Sequence, residues 1–210
     1  MDTQPSIGYR KNLLIKAYHE AGHAVVSHYY KRCVHYIEIG GDDHNFMVSS
    51  ETPSLFELAE TYINTNADSE RLWEEYVEMI RVHCAILAAG PSAESNHTGV
   101  DIRQIRGGQD FETIIELTRH LSKISERFSD CTDMNENYKR TLMRDIFERP
   151  QSIFMEHRGW LYVERIVGAL LMKYVLTRDD LEVLLTGMPQ SDGHVPYSNP
   201  TVNFQYAMRF

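Results

Sequence analysis

His19 and His23 stand four residues apart, with Glu20 directly after the first, inside the run "AYHEAGHAVVSHYY" at positions 17–30. On an α-helix, side chains at i and i+4 lie one above the other, so the two imidazoles can converge on a single ion. Zinc accepts neutral imidazole nitrogens at roughly 2.0–2.1 Å, and the glutamate of an HExxH pattern points to where a bound water sits. Zinc draws the pKa of such a water toward about 7, and a neighbouring carboxylate can take its proton. His19 and His23 are therefore candidate zinc ligands, and Glu20 is the candidate general base. The apolar neighbours Ala17, Ala21, Ala24, Val25 and Val26 would bury the pair. Buried histidines without a partner are costly, which favours a bound ion.

A catalytic zinc needs a third protein ligand and one open position. The extended pattern HExxHxxGxxH is excluded, because Val26 stands where it needs glycine and Tyr29 where it needs histidine. A glutamate on a second helix is one source, with Glu57, Glu60, Glu74 and Glu75 as candidates. An aspartate at a helix start is another, and Asp110 occupies such a place.

The elements that must carry these groups are mostly helical. Leu13, Leu14, Ala17, Ala21, Ala24 and Val25 recur at the spacing of a buried stripe, which predicts a helix over 12–30. Gly22 inside it weakens the helix and suggests close approach by another element. Residues 34–50 alternate apolar and polar and then break at Gly40-Gly41-Asp42-Asp43, the pattern of a short hairpin. Further helices are expected over 55–63 and over 70–89, the latter stopped by Gly90-Pro91 before a loop that runs to Gln109. The remaining helices are expected from Gln109 or Asp110 to Phe128, over 135–147, over 150–173 with a break near Arg158-Gly159, and over 178–185. The expected fold is mainly α, a compact helical domain over 1–187 with a small β-hairpin or short sheet next to the HExxH helix. Residues 188–210 hold three prolines and no helical period, and read as a C-terminal tail.

Composition narrows the partners. A formal charge of -9 argues against a phosphate-binding surface, so nucleic acid is not expected. Cys33, Cys84 and Cys131 form no CxxC pair, which points to a reducing compartment rather than a disulfide framework. The N-terminus has no apolar signal core, and runs such as "IVGALLM" at 166–172 fall short of the roughly 20 residues that span a bilayer. The expected location is cytoplasmic, with no membrane span.

The stretches "AYHEAGHAVV", "AILAAGPSAES" and "TGVDIRQIRGGQDFETIIELTRHLS" resemble, in this order, the peptidase domain of the FtsH-type, AAA+ associated zinc metalloproteases. "FMEHRGWLYVERIVGALLMKYVLTRDDLEVLLTG" at 154–187 resembles the last helices of that family, so the likeness covers about 12–187. It implies a zinc endopeptidase in which His19, His23 and Asp110 hold Zn2+ and Glu20 is the base, while Glu94, which matches a glutamate of the family, is either a partner orienting a ligand histidine or a solvated loop acid. The departures are Ala88-Ala89-Gly90-Pro91-Ser92-Ala93-Glu94 in place of the family's "GGRAAE" run, Gln109 in place of asparagine, and a changed segment near 40–50 that ordinarily lies along the substrate. The chain also carries no GxxxxGK[ST] phosphate loop, and reads as a relative without its own ATPase motor. Its expected substrates are unfolded proteins or peptides, and its expected partners a second copy in a homo-oligomer or a separate ATPase. The alternative reading is a zinc-binding but proteolytically silent adaptor or regulatory partner of a full-length FtsH-type protease. His28, His35, His44, His83 and His97 read as surface or core histidines, with His97 a weak candidate for polarising a scissile carbonyl.

Overall fold

A computed structural model of the chain describes residues 7–39, 46–48, 69–105, 108–125 and 136–192. The expected helix over 55–63, the candidates Glu57 and Glu60, and the tail beyond residue 192 lie outside the described residues. Within them the fold is mainly α, as the apolar periodicity predicts. The order is α1 (Ile7–Tyr29), β1 (Val34–Glu38), β2 (Phe46–Val48), α2 (Ser69–Thr98), α3 (Gln109–Ser125), α4 (Glu136–Glu156), α5 (Gly159–Lys173), β3 (Val175–Thr177) and α6 (Arg178–Leu184). Among the described residues no helix is long and apolar enough to cross a membrane.

The hairpin forms where the alternation places it, with Val34 opposite Val48 and Ile37 opposite Phe46 in antiparallel register. A third strand, which the sequence did not disclose, pairs on the other side of β1: Ile37 lies opposite Leu176 and Glu38 opposite Val175. The strand order is thus β2-β1-β3. β3 is reached through Tyr174, whose left-handed backbone (φ 62) ends α5 while its N–H donates to the Leu170 carbonyl. The Tyr174 carbonyl in turn accepts from Ile39 N–H at 3.0 Å, which ties the turn to the end of β1.

Two apolar clusters share α2 as a wall. Val82, Ala85, Ile86, Ala89 and Ala93 face α1, α5 and the sheet, packing with Ala17, Ala21, Val25, Ile166, Leu170 and Leu176. Met79, Ile80, Cys84, Leu87 and Ala88 face α3 and α4, packing with Ile114, Leu121, Leu142 and Ile146. A helix buried on two sides carries apolar residues nearly all round, as the segment 79–93 does. α1 and α3, far apart in sequence, are both held by this helix.

Two expected helix stops are overturned. α2 runs through Gly90-Pro91 to Thr98, and α4 runs through Pro150 to Glu156. Glycine and proline cost about 1 and 3 kcal/mol in a helix interior, so isolated peptides would break there. In the chain Gly90, Pro91 and Pro150 are all buried, and the flanking Ala88, Ala89, Ala93, Ile146 and Ile153 are core residues. Burying a stretch of this size offsets the local preference. The break at Arg158-Gly159 does occur: Arg158 takes φ 56, and a Cβ on Gly159 would lie 2.7 Å from the Ile153 carbonyl oxygen. α5 therefore starts hard against the end of α4, and only glycine fits.

Gly168, in the middle of α5, is the opposite case, since a Cβ there would meet nothing within 4 Å. Gly168→Ala should raise stability by roughly 0.5–1 kcal/mol, because alanine loses less backbone entropy on folding and nothing must move to admit it. A urea titration of the variant checks this, and an unchanged or lower midpoint would contradict the open space seen on that face.

Candidate metal centre

α1 presents His19, Glu20 and His23 to the wall formed by α2, and its own packing explains why they are held so firmly. Ala17, Ala21, Ala24, Val25 and Val26 on the same helix are all fully buried. Gly22 lets the helices touch: a Cβ there would lie 2.5 Å from the Ala89 carbonyl oxygen and 2.8 Å from Ala93 Cβ. The close approach that this glycine suggested is therefore with α2.

Each imidazole is turned by a hydrogen-bond partner on its far side. His23 Nδ1 donates to the Ile86 carbonyl at 2.7 Å, which turns Nε2 inward toward Asp110. His19 Nδ1 stands 3.5 Å from Glu94 Oε2, and its Nε2 also faces inward. The rings meet edge to face with centroids 4.8 Å apart. Such outer partners fix tautomer and ring orientation in metal sites. Glu94 reaches His19 because α2 does not stop at Gly90; its continued helix carries Glu94 one turn further along the same wall.

Asp110, the second residue of α3, closes the arrangement across a separation of 91 residues. Its Oδ2 is 3.0 Å from His19 Nε2 and 3.4 Å from His23 Nε2. Two ligands at about 2.1 Å from one ion in tetrahedral array stand about 3.4 Å apart, so the His23 separation suits a shared ion, while the His19 separation is also that of a hydrogen bond. Ligand atoms of His19, His23 and Asp110 all lie within 4.8 Å of one another, and this group could hold a metal ion. Glu74 and Glu75 belong to no such group among the described residues, which removes them as third ligands.

Glu20 lies beside this group without joining it. It is only 2 % exposed, and its Oε2 has no hydrogen-bond partner among the described residues. A buried carboxylate oxygen left unpaired is expensive, so Oε2 is an acceptor that a bound water or ligand could satisfy. The donor set of two imidazoles and one carboxylate, with an orphaned acceptor next to it, fits a divalent ion that keeps a water.

Charge balance in the metal-free site follows from the same contacts. For His19 burial opposes the charge, but hydrogen bonds to Asp110 and Glu94, with Glu20 nearby, outweigh it and push its pKa up to about 10. Burial likewise opposes ionisation of Asp110, and the two imidazoles overcome it, holding the carboxyl well below the usual range. Glu20 moves the other way, pushed up first by burial and also by Asp110, with His19 and His23 pulling against them. An ion at the centre would take the place of the proton on His19.

The other histidines are placed elsewhere. His97 stacks on Tyr18 at 3.7 Å, and Trp160 stacks on the other contact of Tyr18 at 5.6 Å, so His97 serves an aromatic stack rather than the ligand set. His83 is pulled down to about 4, first by burial and then by Arg32. It folds neutral and unfolds into a form that binds a proton below about pH 6.5. The stability it contributes is complete above pH 6.5 and is lost as pH falls toward 4, amounting to about 2 kcal/mol by pH 5. His83→Gln should flatten the fall of the urea midpoint between pH 7 and pH 5, and an unchanged slope would assign the acid sensitivity to other groups.

Sequence reasoning missed Gly90 and the Ile86 carbonyl. A Cβ on Gly90 would lie 2.6 Å from His19 Nε2 and closer still to His23 Nε2. No signal in the sequence marks a carbonyl as a partner, whereas Gly90 was visible but read as a helix stop. No family model matches the chain, and no curated protein matches it significantly.

Proposed function

We propose that the chain is a zinc-dependent endopeptidase, similar to the peptidase domain of the FtsH-type proteases and acting on unfolded proteins or peptides. The observation that carries this reading is a group of three side chains that could share an ion, beside a separate, buried carboxylate whose Oε2 has no hydrogen-bond partner among the described residues. Asp110 Oδ2 faces both His19 Nε2 and His23 Nε2, at 3.0 and 3.4 Å, while Glu20 stands outside the set. A purely structural zinc site closes all four positions with protein ligands and has no use for a free carboxylate.

When bound, a divalent ion would supply Lewis acidity toward a peptide carbonyl and toward a water. The residues of the chain do the rest. His19 and His23 present Nε2, with Glu94 and the Ile86 carbonyl fixing the rings from behind. Glu20 takes the proton of the attacking water on its carboxylate and passes it to the departing amine nitrogen, so that it ends the cycle as it began. Ala21, Ala24 and Val25 exclude bulk water from the helix face behind it.

The test is metal analysis of the purified chain together with cleavage of unfolded casein. About one zinc per chain is expected, with cleavage abolished by a chelator and restored by added Zn2+. Full zinc occupancy with no cleavage of casein or of short peptides would overturn the endopeptidase reading in favour of the silent regulatory partner.

A further inference from the structure

α2 places its two poorest helix formers, Gly90 and Pro91, in mid-helix and opposite the two histidines. Local preferences are broken most often at functional positions, and the contacts of Gly90 show what this breach achieves. The atoms that a Cβ there would strike first are His23 Nε2, His19 Nε2 at 2.6 Å and His19 Cδ2 at 2.7 Å. They are the inward-facing tips of both candidate ligands, not backbone.

We infer that Gly90 is a positioning residue of the metal centre, whose missing side chain keeps clear the space in front of His19 Nε2 and His23 Nε2 that an ion needs. This inference rests on the metal-binding reading of that centre. Helix separation makes the requirement strict. Gly22 against Ala89 and Ala93 brings α1 and α2 into backbone contact, so the next position of α2 that faces α1 has no room for a side chain. An ion must come within about 2.1 Å of each nitrogen, and a methyl carbon in contact with both nitrogens excludes it. The rings can escape such a methyl only by turning. His23 then surrenders its 2.7 Å bond to the Ile86 carbonyl, or His19 leaves Glu94 and Asp110. Either movement dismantles the ligand set while leaving the backbone of both helices in place, because the clash is with ring tips.

A glycine kept only for packing would behave differently: alanine would lower stability and leave zinc affinity per folded chain unchanged. The experiment uses metal-free wild type, Gly90→Ala and Gly168→Ala, each titrated with Zn2+ against a chelating indicator and with Co2+ by visible absorption. Helicity is measured on the same samples. Gly90→Ala should keep its helicity and bind Zn2+ at least about 100-fold more weakly, beyond the range typical for loss of an outer-sphere partner. The intense absorption of tetrahedral Co2+ should vanish with it, while Gly168→Ala matches wild type in both readouts. Wild-type affinity in Gly90→Ala overturns the inference and leaves the metal reading standing. Absence of Zn2+ binding by wild type itself overturns both. If Gly90→Ala does not fold, adding His19→Ala and His23→Ala removes both rings that the new Cβ meets. The triple variant should then recover the helicity of the His19→Ala/His23→Ala variant, and failure to do so overturns the inference.

Discussion

Glu20→Gln is expected to lower kcat/KM for an unfolded protein or peptide substrate by about 100- to 10,000-fold, the usual worth of a positioned general base. Zinc content should stay at the wild-type level, because Glu20 is not among the three side chains that can share an ion. Stability should move in the opposite direction to activity. Glu20 is 2 % exposed, its Oε2 has no hydrogen-bond partner among the described residues, and burial penalises its charged form, which glutamine of the same shape does not carry. A gain of about 1 kcal/mol in the metal-free chain follows, read as a higher urea midpoint. Loss of cleavage together with retained zinc and unchanged or higher stability separates a catalytic role from unfolding. Retained cleavage in Glu20→Gln would remove Glu20 as the base and with it the proposed proton path.

The centre was legible in the sequence to the extent that it is local. His19, Glu20 and His23 share one turn of one helix, so spacing alone sets which side chains meet. Asp110 is different, since nothing local separates it from any other acidic residue at a helix start. Spacing leaves it beside four glutamates, and only the family resemblance singles it out; its direct contact with both histidines is visible only in the fold. Glu94 is named only through the family resemblance, and the role of Gly90 is hidden by its place in a Gly-Pro pair. Gly and Pro both disfavour a helix interior, and the sequence shows this local preference but not the two apolar clusters that override it. The same override carries α4 through Pro150. β3 failed for another reason: three residues are too few to display a period of two, and Val175–Thr177 is a strand only because β1 offers it an edge.

Asp110→Ala should weaken Zn2+ binding by more than about 100-fold, whereas Glu94→Gln should weaken it by about 10- to 100-fold. The difference reflects what each carboxylate faces. Asp110 Oδ2 stands within ligand-to-ligand distance of both Nε2 atoms, but Glu94 Oε2 stands behind His19 at Nδ1. Without Asp110 the ion keeps only two imidazoles from the chain, too few for the three protein ligands of a catalytic zinc. A competing role for Asp110 is as an acid at the start of α3, worth about 0.3–1 kcal/mol through the helix dipole. That role predicts a small loss of stability in the metal-free chain and no change in zinc affinity. The two are separated by thermal unfolding with and without Zn2+ at 100 times the wild-type Kd. Wild type should gain about 2.7 kcal/mol from the ion and Asp110→Ala almost nothing at the same concentration. An equal gain in both proteins would place the third ligand elsewhere in the chain. Loss of the gain in Asp110→Ala, with only part of it lost in Glu94→Gln, would fix the order of the two carboxylates around His19.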